Sequence, residues 1–236
     1  MLESYRDFMN GKTARLMELL ETFFRQRPTR SLLCSNESNL EMAIEIMWFE
    51  EARCVPQLHL AMDYTKRWGE GQNGFVDILV GNSQRGRSVA NPVVVMELKS
   101  VSLRSLWKAR QQDPRAESHS NTDYESILKE LGDAKEDQLL ALKHSYYDKE
   151  KQQWQTLKVK DTLQIADAQL SKYMKIISLG QAERPRPGVL DERVLCRDGG
   201  QDELRGYVVI CVGGARVICR RTAIKITKYS YEIVRE

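Results

Sequence analysis

Zinc and iron-sulfur chemistry is poorly served by this sequence. Its five cysteines, Cys34, Cys54, Cys196, Cys211 and Cys219, are scattered, odd in number and include no Cys-x-x-Cys pair. A disulfide scaffold is equally unsupported, and a reducing compartment fits best. No stretch approaches the run of about 20 apolar residues that a membrane span requires. The opening MLESYRDFMNGK carries acidic residues and no apolar centre, so it does not read as a secretory signal. These absences predict a soluble intracellular protein of the cytoplasm or nucleus, with no membrane partner. An excess of either charge is missing too: 36 Lys and Arg against 33 Asp and Glu leave a formal net charge of +3, which does not by itself demand a polyanionic partner. The only histidines, His59, His119 and His144, show no metal-ligand spacing and read as ordinary structural residues. A phosphate-binding loop is excluded as well. Gly11-Lys12-Thr13 supplies its tail, but Arg6 stands where the first glycine must be and no strand precedes it.

What is present suits one domain. The 236 residues are 42% hydrophobic and 29% charged, enough for one sizeable core over 1–236. An N-terminal helix is expected within residues 1–30, from the helical spacing of Tyr5, Phe8, Leu16, Leu20 and Phe24 before Arg27-Pro28. A second helix is signalled by Ser38 as N-cap with Glu41 in the capping-box position, followed by the stripe Leu40, Ala43, Ile44, Met47 and Trp48 and ending near Ala52. Leu58–Tyr64 and Phe75–Val80, joined by a Gly-rich turn, predict a β-hairpin. After a polar loop over Gly81–Asn91, Pro92–Lys99 reads as a strand covered on both faces. Residues from about 101 to 162 read as a largely helical insertion, with loop formers over Asp113–Asp123. A helix over Ile165–Ile177 and a hairpin built from 206–212 and 215–218 complete the chain. The fold class predicted is α/β, a central mixed sheet flanked by helices.

Charge turns up where such a fold disfavours it. Side chains alternate along a strand, so Glu97 and Lys99 project from one side of the apolar run Val93–Met96. Asp77 sits in the same way among Phe75, Val76, Ile78, Leu79 and Val80. A surface ion pair would explain Glu97 and Lys99 cheaply, but isolated charge on a buried strand is expensive. Two carboxylates converging from neighbouring strands repel unless a cation lies between them, and oxygen-only donors suit a hard ion such as Mg2+ or Mn2+. Hydrolysis of a phosphodiester is the chemistry that combination serves.

Gly74-Phe75-Val76-Asp77 and Glu97-Leu98-Lys99 resemble the Gly-x-x-Asp and Glu-x-Lys elements of the PD-(D/E)XK nucleases, at a separation of 97 − 77 = 20 residues. Gln169-Leu170-Ser171-Lys172-Tyr173 resembles the Gln-x-x-x-Tyr helix motif of the RecB-like branch, with both polar residues on one helical face. The family's proline before the aspartate is Val76 here. The resemblance implies a restriction-endonuclease-like core and Mg2+- or Mn2+-dependent hydrolysis of nucleic acid, with a DNA endonuclease preferred to an RNase. In that reading Asp77 and Glu97 bind metal and Lys99 orients the attacking water. Glu41, with Glu37 and Glu45 as alternatives, supports the metal, while Gln169 and Tyr173 align substrate or water.

For the nucleic acid itself, basic residues offer phosphate contacts: Arg104 and Lys108 after the central strand, Lys172 on the motif helix, and Arg216, Arg220 and Arg221 near the C-terminal hairpin. The competing expectation is a catalytically inactive module of the same fold that binds nucleic acid or a protein partner.

Overall fold

Six consecutive apolar or site residues, Val93–Leu98, are all buried, which requires cover on both sides of the strand that carries them. The computed structural model, which describes residues 2–33, 36–48, 52–67, 71–82, 92–111, 121–148 and 151–234, places that strand, β3 (Val93–Val101), inside a six-stranded sheet. The other strands are β1 (Ala52–Ala61), β2 (Asn73–Asn82), β6 (Gly188–Val189), β7 (Val194–Val212) and β8 (Arg216–Ile233), in the order β6-β1-β2-β3-β7-β8. β1, β2 and β3 form an antiparallel meander. β3 and β7 are parallel from Val93↔Leu204 to Val101↔Val212, so the sheet is mixed.

A parallel neighbour cannot be reached through a tight turn. The connection is the long segment holding α5 (Leu103–Arg110), α6 (Asn121–Asp133), α7 (Glu136–Ala141), the hairpin β4 (Lys143–Asp148) and β5 (Gln153–Lys158), and α8 (Val159–Ile177). Ahead of the sheet come α1 (Leu2–Met9), α2 (Ala14–Arg25), α3 (Thr29–Leu32) and α4 (Glu37–Trp48).

Helices cover both faces, as two consecutive residues of β7 make plain. Tyr207 packs its ring 4.6 Å from Phe8 of α1, which in turn lies 5.0 Å from Trp48 of α4. Gly206 opens the other way onto α8, where a Cβ would come within 2.4 Å of Met174 Sδ and 3.1 Å of Leu170 Cδ2. Full burial of side chains such as Trp48, Leu20 and Ile44 contributes about 1.5–3 kcal/mol each.

Several elements differ from their sequence-based bounds. The expected N-terminal helix is broken: α1 ends at Met9, Gly11 takes φ +85°, and α2 starts afresh at Ala14. A left-handed glycine ends a helix whatever the apolar spacing around it. Ser38 does not cap α4. Asn36 does, its Oδ1 accepting from Asn39 N at 3.0 Å; the helix is described as far as Trp48, and residues 49–51 before β1 lie outside the described residues. The insertion contains a β-hairpin besides its helices. β7 starts at Val194, well before 206, because a register shift between Asp198 and Glu203 interrupts the two-residue alternation. At the far end of β8, Arg53 Nη1 donates to Ile233 O at 2.6 Å, tying the strand back to β1. Cys34, His119 and most of the loops expected over Gly81–Asn91 and Asp113–Asp123 lie outside the described residues. No described helix is long and apolar enough to cross a membrane.

Gly206→Ala is expected to lose about 1–3 kcal/mol by driving α8 off the sheet, read as a lower urea midpoint. Gly132→Ala, at an α6 position with nothing within 4 Å of a new Cβ, should instead gain up to about 1 kcal/mol.

Candidate active site

The β2–β3 ladder pairs Val80↔Val94, Leu79↔Val95 and Ile78↔Met96. Continued one step, that register would set Asp77 opposite Glu97, with both carboxylates on the same face of the sheet. Regular pairing has ended there, and the Asp77 side chain takes over for the missing backbone acceptor: Leu98 N donates to Asp77 Oδ2 at 2.6 Å. Glu97, 1% exposed, accepts at Oε1 from Lys99 Nζ at 2.8 Å. The same ammonium lies 3.5 Å from Glu37 Oε1 in the first turn of α4. Three acidic side chains from three elements thus surround one lysine.

β1 adds an amide. In the β1–β2 register Gln57 stands opposite Asp77, between the pairs Pro56↔Ile78 and Leu58↔Val76. Gln57 has φ +50°, a left-handed backbone that costs a residue with a side chain about 1–3 kcal/mol. Its Nε2 donates to Glu41 Oε2 at 3.2 Å, and the same amide helps hold down the pKa of the neighbouring Asp77 carboxyl. Glu41 therefore reaches the site through Gln57, whereas Glu37 reaches Lys99 directly.

α8 closes the cluster from the other side. Gln169 Nε2 donates to Tyr173 Oη at 3.0 Å, and the Tyr173 ring packs on Gly74, where a Cβ would meet Tyr173 Cε1 at 2.9 Å. The glycine of the first motif is thus the space into which the tyrosine of the third fits. Burial is the main cause that raises the Tyr173 phenol above its ordinary value, with the charges of Glu97 and Asp77 adding to it.

Electrostatics follow from crowding like charges in a dry place. Burial, and after it the Asp77 carboxylate, push Glu97 up to about 7 despite the adjacent lysine. Burial also raises Asp77, against the opposing pull of the Leu98 N–H and Lys99. Glu37 and Glu41 are raised for the same leading reason. For Lys99, burial works to lower the pKa, but Glu97, Glu37 and Asp77 more than offset it and hold the ammonium above its ordinary value.

Among the described residues no group of three or more His, Cys, Asp or Glu side chains lies close enough together to hold a metal ion. The donor set nevertheless fits a hard cation in one respect: Glu97 Oε2 is buried with no hydrogen-bond partner among the described residues. An unpaired carboxylate oxygen beside a second carboxylate is a costly arrangement that a cation relieves.

The other basic candidates divide. Arg216 is built into the structure, pairing with Glu21 at 3.2 Å and donating to Leu131 O at 2.9 Å and Ala134 O at 2.7 Å. Arg220 pairs with Glu136, and Arg221 with Glu203 at 2.9 Å. Lys172 is exposed on α8, Arg104 is exposed at the start of α5, and Lys108 is buried. Burial pushes the thiols of Cys54, Cys196, Cys211 and Cys219 up to about 12, which leaves them unreactive. His144 Nε2 lies 2.8 Å from Thr162 Oγ1 and His59 stacks on Phe75, as structural histidines do.

Gln57 escaped sequence reasoning altogether. Its only signal was a polar residue after Pro56 in a strand, and Glu37 was legible just as one of three helix glutamates. No family model matches the chain, and neither does any curated protein or solved structure.

The raised Glu97 pKa makes stability depend on pH. A carboxyl at 4.5 unfolded and about 7 folded stabilises fully below 4.5, and that contribution is lost as pH rises through 7. In chelating buffer, Glu97→Gln should flatten the fall in unfolding free energy between those values. The check is urea denaturation from pH 4 to 8; an unchanged slope means that Glu97 does not titrate there.

Proposed function

We propose that the chain is a divalent-metal-dependent nuclease with a PD-(D/E)XK-type core, a DNA endonuclease rather than an RNase. One observation carries the reading: just beyond the last β2–β3 pair, Ile78↔Met96, the Asp77 carboxylate bonds Leu98 N and the Glu97 carboxylate bonds Lys99, with the other Glu97 oxygen buried and without a partner among the described residues. The element order supports it. A helix bearing Glu37 and Glu41 (α4) precedes the meander bearing Asp77, Glu97 and Lys99 (β1 to β3), and the helix bearing Gln169 and Tyr173 (α8) follows it.

Asp77 and Glu97, with Glu37 nearest to them on α4, are the residues that would hold Mg2+ or Mn2+. Bound there, such an ion supplies charge stabilisation at a phosphate oxygen and a water acidic enough to attack phosphorus. The protein's own groups do the rest. Lys99, held cationic by its carboxylate neighbours, donates to the attacking water or to the developing phosphate charge. Leu98 N fixes the Asp77 carboxylate in place, and Gln57, opposite Asp77 in the β1–β2 register, holds Glu41. Gln169 orients the Tyr173 hydroxyl, which flanks the two acids.

The test is incubation of supercoiled plasmid, linear DNA and RNA with Mg2+ or Mn2+. Cleavage should require metal and favour DNA. Asp77→Ala and Lys99→Ala should each lose about 100-fold or more, and Glu37→Gln about 10-fold or more. Cleavage that survives both alanine variants refutes the site. Absence of cleavage combined with Mn2+ uptake that does not depend on Asp77 and Glu97 leaves the inactive binding module.

A further inference from the structure

The crossover carries charge and aromatic surface that the carboxylate site does not use. Immediately after β3, Ser102 caps α5, its Oγ accepting from Ser105 N at 3.2 Å. α5 packs on β4, and between α5 and the β4–β5 hairpin lies a cavity of about 330 Å³ lined by Ser102, Arg104, Ser105, Lys108, Ser145 and Trp154. Lys108 is 8% exposed, and its ammonium sits 4.0 Å from the centre of the Trp154 ring, with no carboxylate partner among the described residues. Arg104 is exposed on the same lining and has no ion pair among the described residues either. Lys108 thus reaches the cavity as a cation with no counter-charge beside it among the described residues. The indole face offers only a partial substitute for one. An anion entering the cavity would supply the rest, with the Ser102 and Ser145 hydroxyls as further donors.

Beside this cavity two large rings face solvent. Tyr147 and Trp154 are cross-strand partners in the β4–β5 ladder, 48% and 38% exposed, with centroids 5.6 Å apart in an edge-to-face arrangement. Neither exposure is explained by packing.

We propose that the β4–β5 hairpin and the start of α5 form a subsite for an unpaired polynucleotide strand. Lys108 and Arg104 hold a backbone phosphate in the cavity, and Tyr147 with the free edge of Trp154 takes a base by stacking. The strand must be unpaired because duplex bases already stack on one another, while single-stranded bases offer their faces. The subsite is near the carboxylates in the chain: Lys99 and Ser102 are three residues apart, about 10 Å at strand rise. As the substrate class of the nuclease, this inference rests on the function proposed above; as a binding site, it stands alone.

Fluorescence anisotropy of a labelled single-stranded DNA oligonucleotide and of its duplex, in EDTA so that nothing is cut, separates the two. The single strand should bind more tightly than the duplex. Tyr147→Ala and Trp154→Ala should each weaken single-strand binding about 5- to 150-fold and leave duplex binding nearly unchanged. Trp154→Phe should restore most of the affinity, and Arg104→Gln should reduce the salt slope by about one. Tyr147 is a surface residue, so its variant reports on binding even if Trp154→Ala unfolds the hairpin. Unaltered single-strand affinity in both Tyr147→Ala and Arg104→Gln overturns the subsite, and so does an equal loss for single strand and duplex. Aromatic-dependent binding without any metal-dependent cleavage supports the subsite while ending the nuclease reading; cleavage with unaltered affinities does the reverse.

Discussion

Two carboxylates that share one dry face of a sheet must be neutralised or the strands carrying them cannot stay together. Here Lys99, two residues from Glu97 on the same strand, supplies the positive charge, and the Leu98 N–H supplies a fixed dipole to Asp77. Coulomb energy at such separations is several times larger in a protein interior than in water, so the lysine is a structural counter-ion before it is anything else. Much of the surrounding architecture can be understood as holding this one ammonium among its acids. The first turn of α4 brings Glu37, Gln57 of β1 stands opposite Asp77, and α8 brings the Tyr173 hydroxyl within the influence of Glu97 and Asp77.

That closeness is possible because side chains are absent at two positions. Gly74 admits the Tyr173 ring and Gly206 admits Met174, so α8 approaches the sheet at both ends of its contact. The glycine in the first motif and the tyrosine in the third are therefore one packing unit, although nearly a hundred residues separate them. Glu97 keeps an unsatisfied oxygen in this packed setting. Such an atom lowers stability unless something outside the chain satisfies it.

Reading the chain without coordinates recovered the features that depend on local periodicity. Buried β3, the Asp77 strand, α4, α8 and the mixed α/β class follow from apolar spacing, and Asp77, Glu97 and Lys99 stand out because charge interrupts that spacing. Boundaries fared worse where a single backbone conformation decides them. Gly11 divides the first helix, Asn36 displaces Ser38 as the cap, and the Asp198–Glu203 bulge hides the first half of β7. The β4–β5 hairpin was invisible because its strands, KHSYYD and QWQTLK, have little apolar alternation and lean on α5 for cover.

By itself, then, the sequence determined which strands are buried and which charges lie on them, because burial and alternation are written in neighbouring residues. Only the tertiary structure decided the company those charges keep. Whether Glu37 or Glu41 meets Lys99 turns on the pitch and docking of α4. Gln57 joins Asp77 through cross-strand register, Arg216 is withdrawn by Glu21 and three carbonyls, and Lys108 is set against Trp154 by a hairpin that begins 35 residues later. Each of these is a contact between segments distant in the chain, and pattern along one segment carries no information about the partner it will meet.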